Sequence, residues 1–203
     1  MTVREYDAPE VSRAEILRYL RSGEDEVLSE RIERCLAAVL PTLSYKACMA
    51  EFPIHVSGIE VDLGFARVSS RDLSARLIGC HSVVVFVATV GLGIDRLMTR
   101  YGATSPTDAL IVSAIGNERV EALCDAVCRD IGKTASERGG ACRTRYSPGY
   151  GDLDLSVERD IFASLKPTAK IGVALSENLL MTPIKSVSAI VGIMNGEKKN
   201  EDN

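Results

Sequence analysis

A chain of 203 residues with 46% hydrophobic and 26% charged content has the make-up of a globular protein with room for one substantial domain. Its net charge of −4 comes with no basic block, which argues against a nucleic-acid partner, because phosphate binding needs a basic face. No apolar run approaches the roughly 18 residues of a membrane span, and the N-terminal "MTVREYDAPE" has acids where a secretory signal has an apolar core, so the expected location is the cytoplasm.

Residues 11–40 predict two helices. "SRAEILRYLR" sets Ser12 three residues before Glu15, the spacing of a capping box. "EDEVLSERIERCLAAVL" repeats Val27, Leu28, Ile32, Leu36 and Val39 at helical spacing until Pro41 stops it. From 43 to 69 the period moves toward two, predicting short hairpin strands with turns at Gly58 and Gly64. "SSRDLSARLIG" predicts a capped helix ending on Gly79, and "SVVVFVATV" a buried strand. After "IDRLMTRYGA", apolar residues at 110, 114, 120, 123, 124, 127 and 131 predict one long helix with an irregularity at Gly116. "KIGVALSENLLMTPIKSVSAIVGIM" predicts a strand or short helix, a loop around Pro183 and a closing strand. The expected fold is α+β, a single domain over 1–195 with a twisted antiparallel or mixed sheet flanked by helices. A polar tail, 196–203, carries Lys198 and Lys199.

Few residues offer chemistry. The six cysteines form no Cys-x-x-Cys pair, and Cys124 and Cys128, four apart on the long helix among Ala and Val, read as small buried hydrophobes rather than metal ligands. His55 and His81 lie in or beside apolar strands, and no nucleophile–base spacing accompanies them. Gly91 and Gly93 follow a strand as in a nucleotide-binding turn, but Arg96 stands where a third glycine belongs, and a tight turn between strand and helix is the better explanation of the pair. That leaves "RYSPGYG". Arg145 offers a fork of donors for a carboxylate or phosphate. Pro148 and Gly149 set a turn with accessible backbone N–H groups, Gly149 and Gly151 allow close approach to the main chain, and Tyr146 and Tyr150 add flat apolar surface. The combination points to recognition of a small anionic or carboxylate-bearing molecule without proton transfer.

"RYSPGYGD", followed by "IGVALSENLLMTPIKSVSAIVG", resembles the activation (reactivation) domain of cobalamin-dependent methionine synthase. The shared pattern is Arg145, Gly149 and Tyr150, then Ser176, Glu177, Met181, Pro183, Ser186, Val187 and Ser188, in the family's order. With "VEALCDAVCRDI" the resemblance covers roughly residues 105–193, and the N-terminal half fits as general pattern. It implies S-adenosylmethionine as ligand, held by Arg145, Tyr146, Pro148, Gly149 and Tyr150 with Glu121 and Glu177. It further implies reductive methylation of cob(II)alamin on a partner methionine synthase or corrinoid protein, contacted only through that partner, with a flavodoxin-type or other electron donor. Neither histidine sits in the Asp-x-His-x-x-Gly setting of a cobalamin module, so the resemblance implies a separate subunit. Two other readings fit the sequence: a docking module for a corrinoid protein without small-molecule binding, and a methyltransferase using Gly91 and Gly93, which demands a parallel doubly wound sheet.

Overall fold

The apolar run "SVVVFVATV" lies at the middle of the fold and is covered on both faces. The computed structural model describes residues 1–23 and 25–195, so the polar tail from 196 lies outside the described residues. In chain order the elements are β1 (Thr2–Glu5), α1 (Arg13–Leu20), α2 (Glu26–Val39), a 3-10 turn (Leu40–Thr42), β2 (Lys46–Pro53), β3 (His55–Ser57), β4 (Glu60–Asp62), β5 (Arg67–Ser69), α3 (Arg71–Leu77) and β6 (Cys80–Thr89). They continue with α4 (Gly93–Thr104), α5 (Pro106–Glu137), β7 (Ala141–Cys142), α6 (Val157–Leu165), α7 (Pro167–Ile171), β8 (Ala174–Leu175), β9 (Met181–Thr182) and β10 (Ser186–Met194). The main sheet has the order β1-β2-β6-β10-β7 and every neighbouring pair is antiparallel. β3-β4-β5 form a separate meander and β8-β9 a small ribbon. The fold is therefore α+β with an antiparallel sheet flanked by helices. A parallel doubly wound methyltransferase sheet is ruled out.

Strand alternation divides the interior into two cores. On β6, Phe86 and Ala88 face a core shared with α1, α2, α4 and α5, whereas Val83, Val85 and Val87 face a core shared with α3, α6 and α7. Ala189 and Val191 of β10 join the first core and Ile190 the second. Burial on both faces is why these strands read as unbroken apolar runs rather than as an alternation. β1, by contrast, is exposed at all four residues and pairs only at the sheet edge, so no apolar alternation announces it.

The long helix α5 runs unbroken from Pro106 to Glu137, without the expected irregularity at Gly116. A Cβ on Gly116 would lie 3.0 Å from the Lys185 side chain and 3.1 Å from Ile94. The glycine makes room for the buried Lys185 stem, whose Nζ donates to Ser113 Oγ at 3.0 Å and Asn117 Oδ1 at 2.7 Å. Leu110, counted toward the apolar stripe, is exposed; Ile111 and Ile115 take its place. The Gly91–Gly93 turn is tightly packed: a Cβ on Gly93 would sit 2.4 Å from the Thr42 carbonyl oxygen. Among the described residues no helix is long and apolar enough to cross a membrane.

Ser12 caps α1 by accepting from the Glu15 N–H, but the reciprocal half of the capping box comes from elsewhere. Ser12 N–H donates to Glu118 Oε1 at 3.0 Å, and Glu15 pairs with Arg18 instead. Glu118 also holds Arg119, a fully buried guanidinium that donates to the carbonyls of Pro9 and Glu10, each at 2.6 Å. This buried pair ties the N-terminal segment onto α5. Removing one partner leaves the other charge uncompensated. Glu118→Ala is therefore expected to lower the unfolding free energy by about 3–5 kcal/mol in urea denaturation.

Candidate functional site

β7 covers only the last two residues of β10, Ile193 and Met194. Upstream, the outer edge of β10 is met by an irregular segment rather than a strand. Arg143 N–H donates to Gly192 O at 2.8 Å, Tyr146 and Ile190 exchange backbone bonds at 2.9 and 2.8 Å, and Ser147 Oγ donates to Ser188 O at 2.7 Å. Held in this extended way, consecutive side chains point to opposite faces. Tyr146 goes down into the α3/α6 core, with the Arg76 guanidinium 4.5 Å above its ring centroid. Arg145 goes the other way, toward α5.

A tight turn follows. Gly149 (φ +84°) donates to Leu153 O at 2.9 Å, and Tyr146 Oη donates to Tyr150 O at 2.8 Å. Gly151 (φ +53°) has no room for a Cβ, which would lie 2.1 Å from Asp72 Oδ2 and 2.4 Å from Tyr146 Oη. Asp152 then accepts from Arg71 N–H at 2.8 Å and Asp72 N–H at 3.2 Å, fixing the turn to the start of α3. The Tyr150 ring is left exposed at the rim, 6.4 Å from that of Tyr146.

The hollow beside this turn has a volume of about 850 Å³, within the usual range for small-molecule sites. Arg145, Tyr146, Tyr150 and Glu121 all line it. Pro148 is buried under the turn, Gly149 is exposed, and neither is part of the lining. Glu177 also lies outside it: its side chain is exposed and its carbonyl accepts from Arg159 at 3.3 Å. The structure adds residues the sequence reading missed, Asp125 and Glu158, and brings Ser188 of the family pattern into the same lining. Asp125 follows Glu121 by one helical turn, an i,i+4 acidic pair that was there to be read. Glu158 gave no signal, since a lone glutamate early in a helix is normally solvated.

Two arrangements of ionisable groups dominate the hollow. Arg145 Nη2 meets Glu121 Oε2 and Arg145 Nη1 meets Asp125 Oδ1, both at 2.5 Å. Partial burial alone would lower the guanidinium's pKa, but the Asp125 hydrogen bond and the Glu121 charge raise it above its ordinary value. The second arrangement is Glu158 on α6, only 3% exposed. Ser188 Oγ donates to its Oε1 at 2.5 Å, while Oε2 has no hydrogen-bond partner among the described residues. Burial pushes the Glu158 carboxyl above the usual carboxylate range, opposed only by the Ser188 bond. Cys128 and Cys142 also line the hollow, and burial pushes the Cys128 thiol up, away from the nucleophilic thiolate.

Comparison with known proteins places these features. The sequence profile of the family described as vitamin B12 dependent methionine synthase, activation domain, matches residues 78–198, beginning earlier than the motifs alone suggested. No curated protein matches the chain by sequence. Among solved structures, the MetH reactivation domain bound to AdoHcy superposes with a TM-score of 0.67 at 16% identity. The superposition covers 95% of this chain and 78% of that one, so the likeness of fold includes the N-terminal half.

The raised Glu158 value has a consequence for stability. The folded state keeps this proton over a pH window in which the unfolded chain has released it, so stability is present below the ordinary glutamate range and is lost as pH rises through the raised value. Glu158→Gln is expected to remove that loss. Its stability relative to wild type, read by urea denaturation, should rise as pH climbs above the ordinary glutamate value of about 4.

Proposed function

The chain belongs to the family of vitamin B12-dependent methionine synthase activation domains, and on that premise we propose that the hollow beside Arg145 binds S-adenosylmethionine in support of corrinoid reactivation. The observation that carries this reading is the Arg145–Glu121–Asp125 cluster in the hollow's wall. One guanidinium between two carboxylates suits a ligand with both an ammonium and a carboxylate. The ligand carboxylate takes donors of Arg145, and the ammonium takes the acidic side chains that Arg145 held. The cluster's net charge is one negative, and the ligand's ammonium, sulfonium and carboxylate leave it one net positive, so the charges complement each other.

The remaining residues position rather than react. Tyr150 at the rim and Tyr146 below it offer aromatic surface to an adenosyl group and exclude water from it. The turn fixed by Gly149, Gly151 and Asp152 holds that surface rigidly, and no acid, base or thiolate is required of the protein. When bound, S-adenosylmethionine would supply the methyl group for reductive methylation of a corrinoid on a partner methionine synthase or related corrinoid protein, with the electron from a flavodoxin-type or other donor.

Calorimetric titration of the purified chain tests the reading. S-adenosylmethionine should bind, and Arg145→Ala should weaken it by about 2 kcal/mol or more, over tenfold, because the ligand carboxylate loses its partner. No binding by the wild-type chain, or binding indifferent to Arg145→Ala, overturns it. The second of these results, with unchanged association to a corrinoid protein, is what a docking module without a ligand would give.

A further inference from the structure

Glu158 has a chemistry that the Arg145 cluster does not supply. Its carboxyl lies at the edge of β10, where Ser188 anchors one oxygen and the other has no partner although the side chain lines the hollow. Buried polar atoms are rarely left without a partner, and Oε2, enclosed within a residue of the cavity wall, is a hydrogen-bonding position still to be filled. Among the described residues no cation pairs with it. Of the guanidinium groups lining the same hollow, Arg76 stacks on Tyr146, Arg143 donates to Ile78 O at 3.1 Å, and Arg145 is held by Glu121 and Asp125. The acids of the lining, Glu121 and Asp125, are on α5 and engaged with Arg145. A carboxyl enclosed to this degree, with a single hydroxyl as neighbour, is cheaper to bury neutral than ionised.

We propose that Glu158 is a ligand-binding residue which, as a neutral carboxyl anchored by Ser188, donates a hydrogen bond from Oε2 to an uncharged acceptor of the adenosyl part of the ligand, a ring nitrogen or a ribose oxygen. The inference rests on the reading of this hollow as an S-adenosylmethionine site. It divides the hollow into a charged end, where Arg145, Glu121 and Asp125 read the amino-acid zwitterion, and a neutral end, where Glu158 and Ser188 read the nucleoside. An apolar floor would not discriminate a nucleoside from a hydrocarbon of the same size, whereas a buried donor penalises any ligand that leaves it unpaired.

The test uses AdoHcy as probe with Glu158→Gln and Glu158→Leu. Glutamine keeps a neutral donor at this place and still accepts from Ser188, so its affinity should stay within about threefold of wild type, while leucine should lose more than about tenfold. Thermal melting checks that each variant folds. Infrared difference spectroscopy of the wild-type protein supplies a reading that survives a misfolded leucine variant. The carboxylic C=O band assigned to Glu158 by its loss in Glu158→Gln should shift when AdoHcy is added. The proposal is overturned if folded Glu158→Leu binds as wild type, if Glu158→Gln is as weak as Glu158→Leu, or if the band stays fixed with ligand bound. Absence of AdoHcy binding by the wild-type chain overturns this inference together with the site reading it rests on, whereas binding with a fixed band overturns this inference alone.

Discussion

The antiparallel pairing of β10 with β6, from Ser186 opposite Thr89 to Met194 opposite Cys80, is the constraint on which the rest of the structure depends. Both strands are buried on both faces, so helices must cover the sheet on each side. β6 and β2 fill the inner side of β10, and only the outer edge remains open. β7 closes that edge at Ile193 and Met194 alone. The rest is completed by residues 143–147, which bond to Gly192, Ile190 and Ser188 without forming a regular strand. An open sheet edge inside a folded domain is costly unless its backbone groups are met. Meeting them with a loop creates a hollow there at the same time.

The alternation of side chains along that loop distributes the chemistry. With Tyr146 packed under the edge, Arg145 must reach toward α5, where Glu121 and Asp125 stand one helical turn apart. Glu121 and Glu158 are the same residue type and line the same hollow, yet their surroundings separate them. Glu121 is half-buried and ion-paired with a guanidinium. Glu158 is enclosed beside a serine hydroxyl, which leaves burial as the dominant influence. In the proposed site, the paired carboxyl would address a zwitterion at one end and the enclosed carboxyl an uncharged group at the other.

Much of the architecture was legible in the sequence because it follows from local signals. The Ser12 and Ser70 caps, the stops at Pro41 and Gly79 and the turns at Gly58 and Gly64 stand where residue chemistry puts them. What escaped depends on distant partners. Gly116 looked like a helix defect because nothing nearby in sequence shows that Lys185 crosses it. The Glu15 half of the capping box lost to Glu118, more than a hundred residues away. β1 is invisible as a pattern because all its side chains are exposed. At the hollow, Arg145, Tyr146 and Tyr150 could be found from their crowding into one turn, and Glu121 from the resemblance. Glu158 could not be found, since its burial is created by β10 and the helix it begins, not by its neighbours in the chain.

A crystal structure of the chain grown with AdoHcy most directly tests the claim that this sheet-edge hollow is the ligand site. The prediction is ligand density between the Arg145–Tyr150 turn and α5, with the carboxylate on Arg145. Density elsewhere, or an empty hollow in crystals grown at saturating ligand, would contradict it.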